Sequence, residues 1–443
     1  MPAPEELHAD LSRRLRAAQA EQRLPSVSAA VFREGEIVWA EALGLADVDA
    51  GRAATPDTQY RIGSITKTFT AVAVMQLRDA GRVELDAPLR EYIPEVQPGP
   101  TVRHALSHLT GLQREPAGEI WETMQMPSRE DLLAGLEDVE QVLVPGERWH
   151  YSNLAFSLLG ELVARRSGTP YWTYVQERVL EPLGLSRTTF AESEPAARGY
   201  FVEPYSDGVR PEAHVEIPEP PAAMGQLWST TGDLARWGAF LAAGDPAVLA
   251  KETLDEMSLV QAMVDQKGWL SGWGLGLQLV RRGERVYAGH GGAMPGFLAF
   301  VGVVRDDGVG AVALMNTSAG GAPDALALDL AETAVKALPA EPDPWRPDAG
   351  APAEVEPLLG RWWSEGDEVV FRWRQGRLEV QLVGAPAGRD TSYLEPEGDD
   401  GWRIVEGRER GELVRAVRDA SGGVEKLYLA TYPLTREPVT FCP

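Results

Sequence analysis

Three short segments carry residue types that could make and break an acyl bond. The first is Arg61-Ile-Gly-Ser64-Ile-Thr-Lys67, which opens an apolar stretch ending near Gly81. Ser64 and Lys67 lie three residues apart, so on a helix they share a face about one turn apart. A serine hydroxyl is a weak nucleophile and needs a neighbouring base. Lysine can be that base only when neutral, a state that burial or nearby cations favour. A serine at a helix start also offers a free backbone N–H to an oxyanion. With 19 Ser and 5 Lys in 443 residues, chance alone supplies about 0.2 such pairs. The chain has 37 Arg, so arginine is its default cation, and arginine cannot accept a proton. The plain alternative is a surface lysine one turn past an N-capping serine.

The second segment, Pro145-Gly-Glu-Arg-Trp-His-Tyr151-Ser152-Asn153, enters another apolar helix. A tyrosine there can relay a proton if a cation stabilises its phenolate. The nearby Asn153 can orient the lysine or bind a substrate amide. The alternative is an N-capping Asn153 beside a half-buried Tyr151. The third segment is Tyr287-Ala-Gly-His290-Gly291-Gly292-Ala293-Met-Pro-Gly296. Its glycines leave a backbone that a ligand or another chain can approach closely. A histidine at its mouth can donate, accept or carry a proton. The alternative is a glycine-rich turn with a surface histidine.

The remaining histidines have plainer readings. His104 and His108 are four apart, as in a helical metal pair, but no Glu sits between them in the metalloprotease pattern. No metal site and no cofactor are therefore expected. Trp121, Trp149 and Trp237 read as core, whereas Trp228 is a candidate cleft-edge residue. The single cysteine, Cys442, cannot form an internal disulfide and stands too near the chain end to be a favoured nucleophile.

The elements that must position these groups show in the periodicity. Helical patterns run over 5–23, 65–80, 101–109, 129–138, 153–166, 170–180, 231–242 and 322–338. Strand patterns at 27–32 and 36–39 flank a turn at Arg33-Glu34-Gly35, and late strands are expected at 275–281, 297–304 and 309–315. Two early strands, many central helices and a late run of strands suggest one sheet closed by both ends of the region. The proline-rich stretch 339–353 reads as a semi-rigid linker between a catalytic domain at 1–338 and a β domain at 354–443. In that last part Val369, Phe371 and Trp373 share one strand face, and Leu378, Val380 and Leu382 share the next.

The length suggests two domains. A net charge of −24, from 42 basic and 66 acidic residues, argues against nucleic acid and anionic membrane as partners. The N-terminal stretch lacks the apolar core of a signal peptide, and no apolar run approaches the roughly 18 residues of a spanning helix. A cytoplasmic location is the expectation.

Taken together, Ser64-x-x-Lys67, Tyr151-x-Asn153 and His290-x-Gly292, in that order, resemble the motifs of the penicillin-binding-protein and class C β-lactamase superfamily of serine acyl enzymes. Thr101-Val-Arg-His-Ala-Leu-Ser-His-Leu-Thr-Gly-Leu112 and Gly225-Gln-Leu-Trp-Ser-Thr-Thr-Gly-Asp-Leu-Ala-Arg236 add to the likeness, which covers about residues 5–340. The resemblance implies an α/β fold: an antiparallel sheet flanked by helices, with a helical subdomain beside it. It implies Ser64 as the acylated nucleophile, Lys67 and Tyr151 as base and acid, and Asn153 as a positioner of substrate and Lys67. It places the N–H groups of Ser64 and Ala293 in an oxyanion hole, His290 at the acyl pocket, and Gly291, Gly292 and Trp228 against substrate. β-Lactamases usually open the third motif with lysine, and here His290 stands instead, which argues against β-lactamase activity. That form looks like esterases, D-amino-acid peptidases and the penicillin-binding-protein-type thioesterases that cyclise nonribosomal peptides. The last 90 residues resemble a small all-β lipocalin-like barrel. The implied substrates are small peptides or esters, or a peptide bound to a carrier protein. The narrowest expectation is release and macrocyclisation of a peptidyl thioester with a D-residue at its acyl end. D-stereospecific peptidase or esterase action, or a weakly active binding homologue, are the alternatives.

Overall fold

A computed structural model describes residues 4–339, 344–347, 350–364, 366–385 and 391–439. Cys442 and parts of the 339–353 stretch lie outside the described residues. The chain divides into two compact units, Met1–Ala340 and Glu341–Pro443.

The first unit is built on a nine-stranded antiparallel sheet. Its strands are β1 (Ser26–Arg33), β2 (Glu36–Asp47), β3 (Arg52–Ala53), β4 (Ala262–Met263), β5 (Ser271–Trp273), β6 (Gln278–Arg282), β7 (Arg285–Met294), β8 (Phe297–Val304) and β9 (Val309–Met315). Their spatial order is β3-β2-β1-β9-β8-β7-β6-β5-β4, so the first and last strands in sequence pair inside the sheet, with Val27 opposite Met315. The long excursion between β3 and β4 holds the helical part.

Burial explains the strand sequences. In β1, Ser26 to Phe32 are all buried, as expected of a central strand covered on both faces. Alternate residues of β9 then divide between two cores. Ala311, Ala313 and Met315 pack with Leu7, Leu11 and Leu15 of α1 (Pro4–Glu21). Val312 and Leu314 belong to the larger core on the other face, with α2 (Thr66–Asp79), α3 (Asn153–Ser167) and α4 (Thr231–Ala243). The last helix, α5 (Pro323–Ala337), joins the α1 side through Leu326 and Leu330. Helix α2 is buried at nearly every position from Thr66 to Leu77, its polar Thr66, Lys67, Thr68 and Thr70 included, so it is enclosed all round rather than striped. Phe69 on it stacks on Trp237 with ring centroids 3.8 Å apart.

Strand β7 is absent from the sequence expectations. Gly289, Gly291 and Gly292 read as a turn, yet Gly289 and Gly292 mark places where another backbone presses against a strand. A Cβ at Gly289 would lie 1.9 Å from the Val301 carbonyl oxygen.

The second unit is an eight-stranded antiparallel sheet in sequential order, from Gly360–Ser364 to Tyr432–Leu434. Trp363 and Thr435 exchange backbone hydrogen bonds of 2.8 and 3.0 Å, which nearly closes it into a barrel. Trp362, Phe371, Leu378, Trp402 and Leu427 fill its interior. The strands at Gly360–Ser364, Ser392–Pro396 and Tyr432–Leu434 go beyond the sequence expectation. No described helix is long and apolar enough to cross a membrane.

Candidate active site

A 3₁₀ turn at Gly63–Ile65 leads into α2, which sets Ser64 at the helix mouth and Lys67 one turn in. The Lys67 side chain is buried, and its Nζ has three neighbours. It donates to Asn153 Oδ1 at 2.8 Å and to the Met224 carbonyl at 2.6 Å, and it lies 3.2 Å from Ser64 Oγ. The first two partners can only accept. A neutral amine has two N–H groups and one lone pair, so once both N–H groups are used the lone pair is left for the Ser64 hydroxyl. Burial pushes the Lys67 amine well below its ordinary 10.5, against the opposing charge of Glu115 and helped by Arg114.

Asn153 does not cap its helix. Ser152 does, accepting the Ala155 N–H at 3.1 Å, which leaves the Asn153 amide free for the site. Its Nδ2 donates to Glu115 Oε1 at 2.7 Å, which fixes Oδ1 towards Lys67. The other Glu115 oxygen is buried with no partner among the described residues. Tyr151 reaches Ser64 with its phenol, and its ring centroid is 5.0 Å from Lys67 Nζ and 5.0 Å from the Arg114 guanidinium. Burial raises the Tyr151 phenol above its ordinary value, and the Ser64 contact pulls it back.

Strand β7 brings the third group. Gly292 packs directly on the Ile62–Ser64 backbone: a Cβ there would lie 1.9 Å from the Ile62 oxygen and 3.4 Å from Ser64 N. Gly63 answers from the other side with φ +50°, and a Cβ on it would lie 2.8 Å from Ala293 N. These two glycines let the backbone of Ser64 approach that of Ala293. His290 is buried, its Nδ1 paired with the Gly291 carbonyl and its ring set edge-on to Trp273 at 5.1 Å. Burial first, and the Lys67 charge second, hold its imidazole down to about 3, so it is neutral at ordinary pH.

A cavity of about 730 Å³ opens over Ser64, Tyr151, Asn153, His290, Gly291, Gly292 and Ala293. Arg114, Glu115, Trp121, Trp149, Trp273 and Gln278 also line it. Trp228 does not. It is buried, its backbone pairs with Arg61, and its ring packs between His214 and Phe297. The tryptophan expectations thus reverse: Trp228 is core, while Trp121 and Trp149 face the cavity. Trp237 is core as expected. Arg114 and Glu115 carried no signal in sequence, since a charged pair after a Gly-Leu turn reads as ordinary surface. Trp149 had one, its place two residues before Tyr151.

A serine beside a buried amine, a phenol and two convergent backbone segments defines a serine-hydrolase type of site. The family model described as Beta-lactamase matches residues 11–336, and the chain belongs to that family. A domain of unknown function, DUF7586, matches residues 351–436. Esterase EstB from Burkholderia gladioli is 35% identical over 223 residues, which are 45% of this chain and 56% of that protein. The chain thus spans little more than half of that relative's length. Among solved structures, the octameric penicillin-binding protein homologue from Pyrococcus abyssi is 25% identical with a TM-score of 0.67, covering 97% of this chain and 99% of that one. A D-stereospecific amidohydrolase from Streptomyces sp. is 28% identical with a TM-score of 0.63, covering 72% and 97%.

Proposed function

We propose that the protein is a serine acyl enzyme in which Ser64 takes the acyl group. The observation that carries this is the placement of Lys67, whose two N–H groups are occupied by acceptor-only partners while its nitrogen stands 3.2 Å from Ser64 Oγ. Ser64 Oγ attacks the substrate carbonyl carbon and its proton passes to Lys67 Nζ. The N–H groups of Ser64 and Ala293 take the developing oxyanion. The bond to the leaving group breaks as that group gains a proton by way of Lys67 and Tyr151. Water or an amine then attacks the ester carbonyl, losing its proton to the same pair, and Ser64 is freed. His290, neutral and buried, lines the acyl side and supports binding.

Intact-protein mass spectrometry with a fluorophosphonate tests the nucleophile. The wild type gains one adduct and Ser64→Ala gains none; equal labelling overturns the assignment.

The narrower reading is release and macrocyclisation of a peptidyl thioester with a D-residue at its acyl end. A third motif without lysine supports it, because no fixed cation is present there to hold a free carboxylate. Hydrolysis of D-amides or esters is the second reading, favoured by the likeness to a D-stereospecific amidohydrolase and an esterase. A linear peptide activated as an N-acetylcysteamine thioester, with D or L at the acyl end, separates them. Cyclic product from the D-form supports cyclisation. Linear acid from the D-form alone supports the hydrolase, and fast p-nitrophenyl ester turnover without chirality dependence supports a plain esterase.

A further inference from the structure

His108 is buried completely, takes no part in the reaction above, and still touches the site at three consecutive positions. Its backbone carbonyl accepts the His150 N–H at 2.8 Å. Its ring Nδ1 accepts the Ser152 N–H at 3.1 Å. Between those two anchors its imidazole stacks on the Tyr151 ring, centroids 4.2 Å apart and planes 29° from parallel. The residue holds a left-handed backbone, φ +56°, which a non-glycine residue keeps only where surrounding contacts impose it.

We propose that His108 is a positioning residue that clamps the 150–152 segment and thereby holds the Tyr151 phenol on Ser64. The inference rests on the acyl-enzyme reading, since it acts through the proton carrier that reading assigns. The geometry fixes the ring's chemistry. Because Nδ1 accepts, the proton is on Nε2, which has no partner among the described residues. A second proton on Nδ1 would face the Ser152 N–H and break the clamp. The surroundings disfavour that proton: burial among Phe156 and Trp273 is the main cause, and the Arg114 guanidinium adds to it. The clamp is therefore built to stay neutral, and its orphan N–H is the cost of using imidazole as a flat acceptor.

A double-mutant cycle with Tyr151→Phe distinguishes a clamp on Tyr151 from general packing. His108→Asn suits the test because asparagine tolerates left-handed φ and keeps an acceptor while losing the stack. With a p-nitrophenyl ester, His108→Asn should lower kcat roughly 10- to 100-fold and leave KM within about 3-fold, the scale of a misplaced proton carrier. In the Tyr151→Phe background the same change should cost under about 3-fold. An equal loss in both backgrounds, or no loss in either, overturns the clamp. If His108→Asn does not fold, His108→Gln runs the same cycle. Failure of the underlying reading looks different: Tyr151→Phe alone would then be fully active, or Ser64→Ala would still turn over.

Discussion

Lys67 and His290 are both buried bases within one site, and their surroundings give them different work. Lys67 spends its N–H groups on Asn153 and Met224 and faces Ser64, whereas His290 spends Nδ1 on its neighbour's carbonyl and its Nε2 has no hydrogen-bond partner among the described residues. Lys67→Arg keeps a side chain of similar reach but puts a permanent cation where a neutral amine could accept the proton. Its acylation rate should fall by roughly 10³-fold, and His290→Ala should cost less, about 10-fold, in the burst of p-nitrophenol. The reverse ranking would contradict this division of roles. His290 also makes a claim about stability. Its folded imidazole takes a proton only near about 3, while the unfolded one does so near 6.5. Between those values the unfolded chain holds a proton that the folded chain does not, so stability drops as pH falls from 6.5 towards 3 and is fully present above 6.5. His290→Asn should flatten the fall in melting temperature between pH 7 and pH 5, without removing it, because His108 is shifted in the same direction. Parallel slopes for wild type and variant would show that His290 is not a buried neutral group.

At the scale of elements, the site is a contact between a helix start and a strand, and glycine makes the contact possible. Gly292→Ala puts a methyl group where the Ile62 oxygen stands, so β7 and the Gly63–Ile65 turn must part. Such overpacking costs about 1–3 kcal/mol. The larger effect should be on rate, roughly 100-fold or more in the ester burst, because the N–H groups of Ser64 and Ala293 lose their common target. A burst within about 3-fold of wild type would refute this use of the glycine. The same glycines show why the sequence is only partly legible. Helix α2 announced itself through an apolar run with Ser64 and Lys67 at its head, and β8 and β9 through uninterrupted apolar strands. Strand β7 hid because glycine weakens strand signals at the very positions where function requires close backbone approach. Glu115 and His108 hid for another reason: their meaning lies in Asn153 and Tyr151, 38 and 43 residues further along the chain, and no local spacing encodes that. Trp228 misled because a large aromatic near a motif looks the same in sequence whether it faces a cleft or the core.

For the whole molecule the question is what the second unit adds. The described residues that line the cavity belong to the first unit, and so do the described residues of its sheet and its two cores. The barrel has its own core around Trp362 and Trp402. Units with separate cores can fold separately. Residues 1–340 expressed alone should therefore fold and take up a fluorophosphonate at Ser64 within about 3-fold of the full chain's rate. If the barrel shields the acyl group or mediates assembly, its effect falls on later events. Water competes with an amine for the ester carbonyl, so transfer gains from any element that keeps water out. Loss of such a shield should raise the share of linear acid over cyclic product from a D-ended thioester, with the acylation rate unchanged. Loss of an assembly element should instead lower the oligomeric state measured by light scattering. If residues 1–340 match the full chain in product ratio and in oligomeric state, the barrel has neither role, and the chemistry of this chain is complete in its first unit.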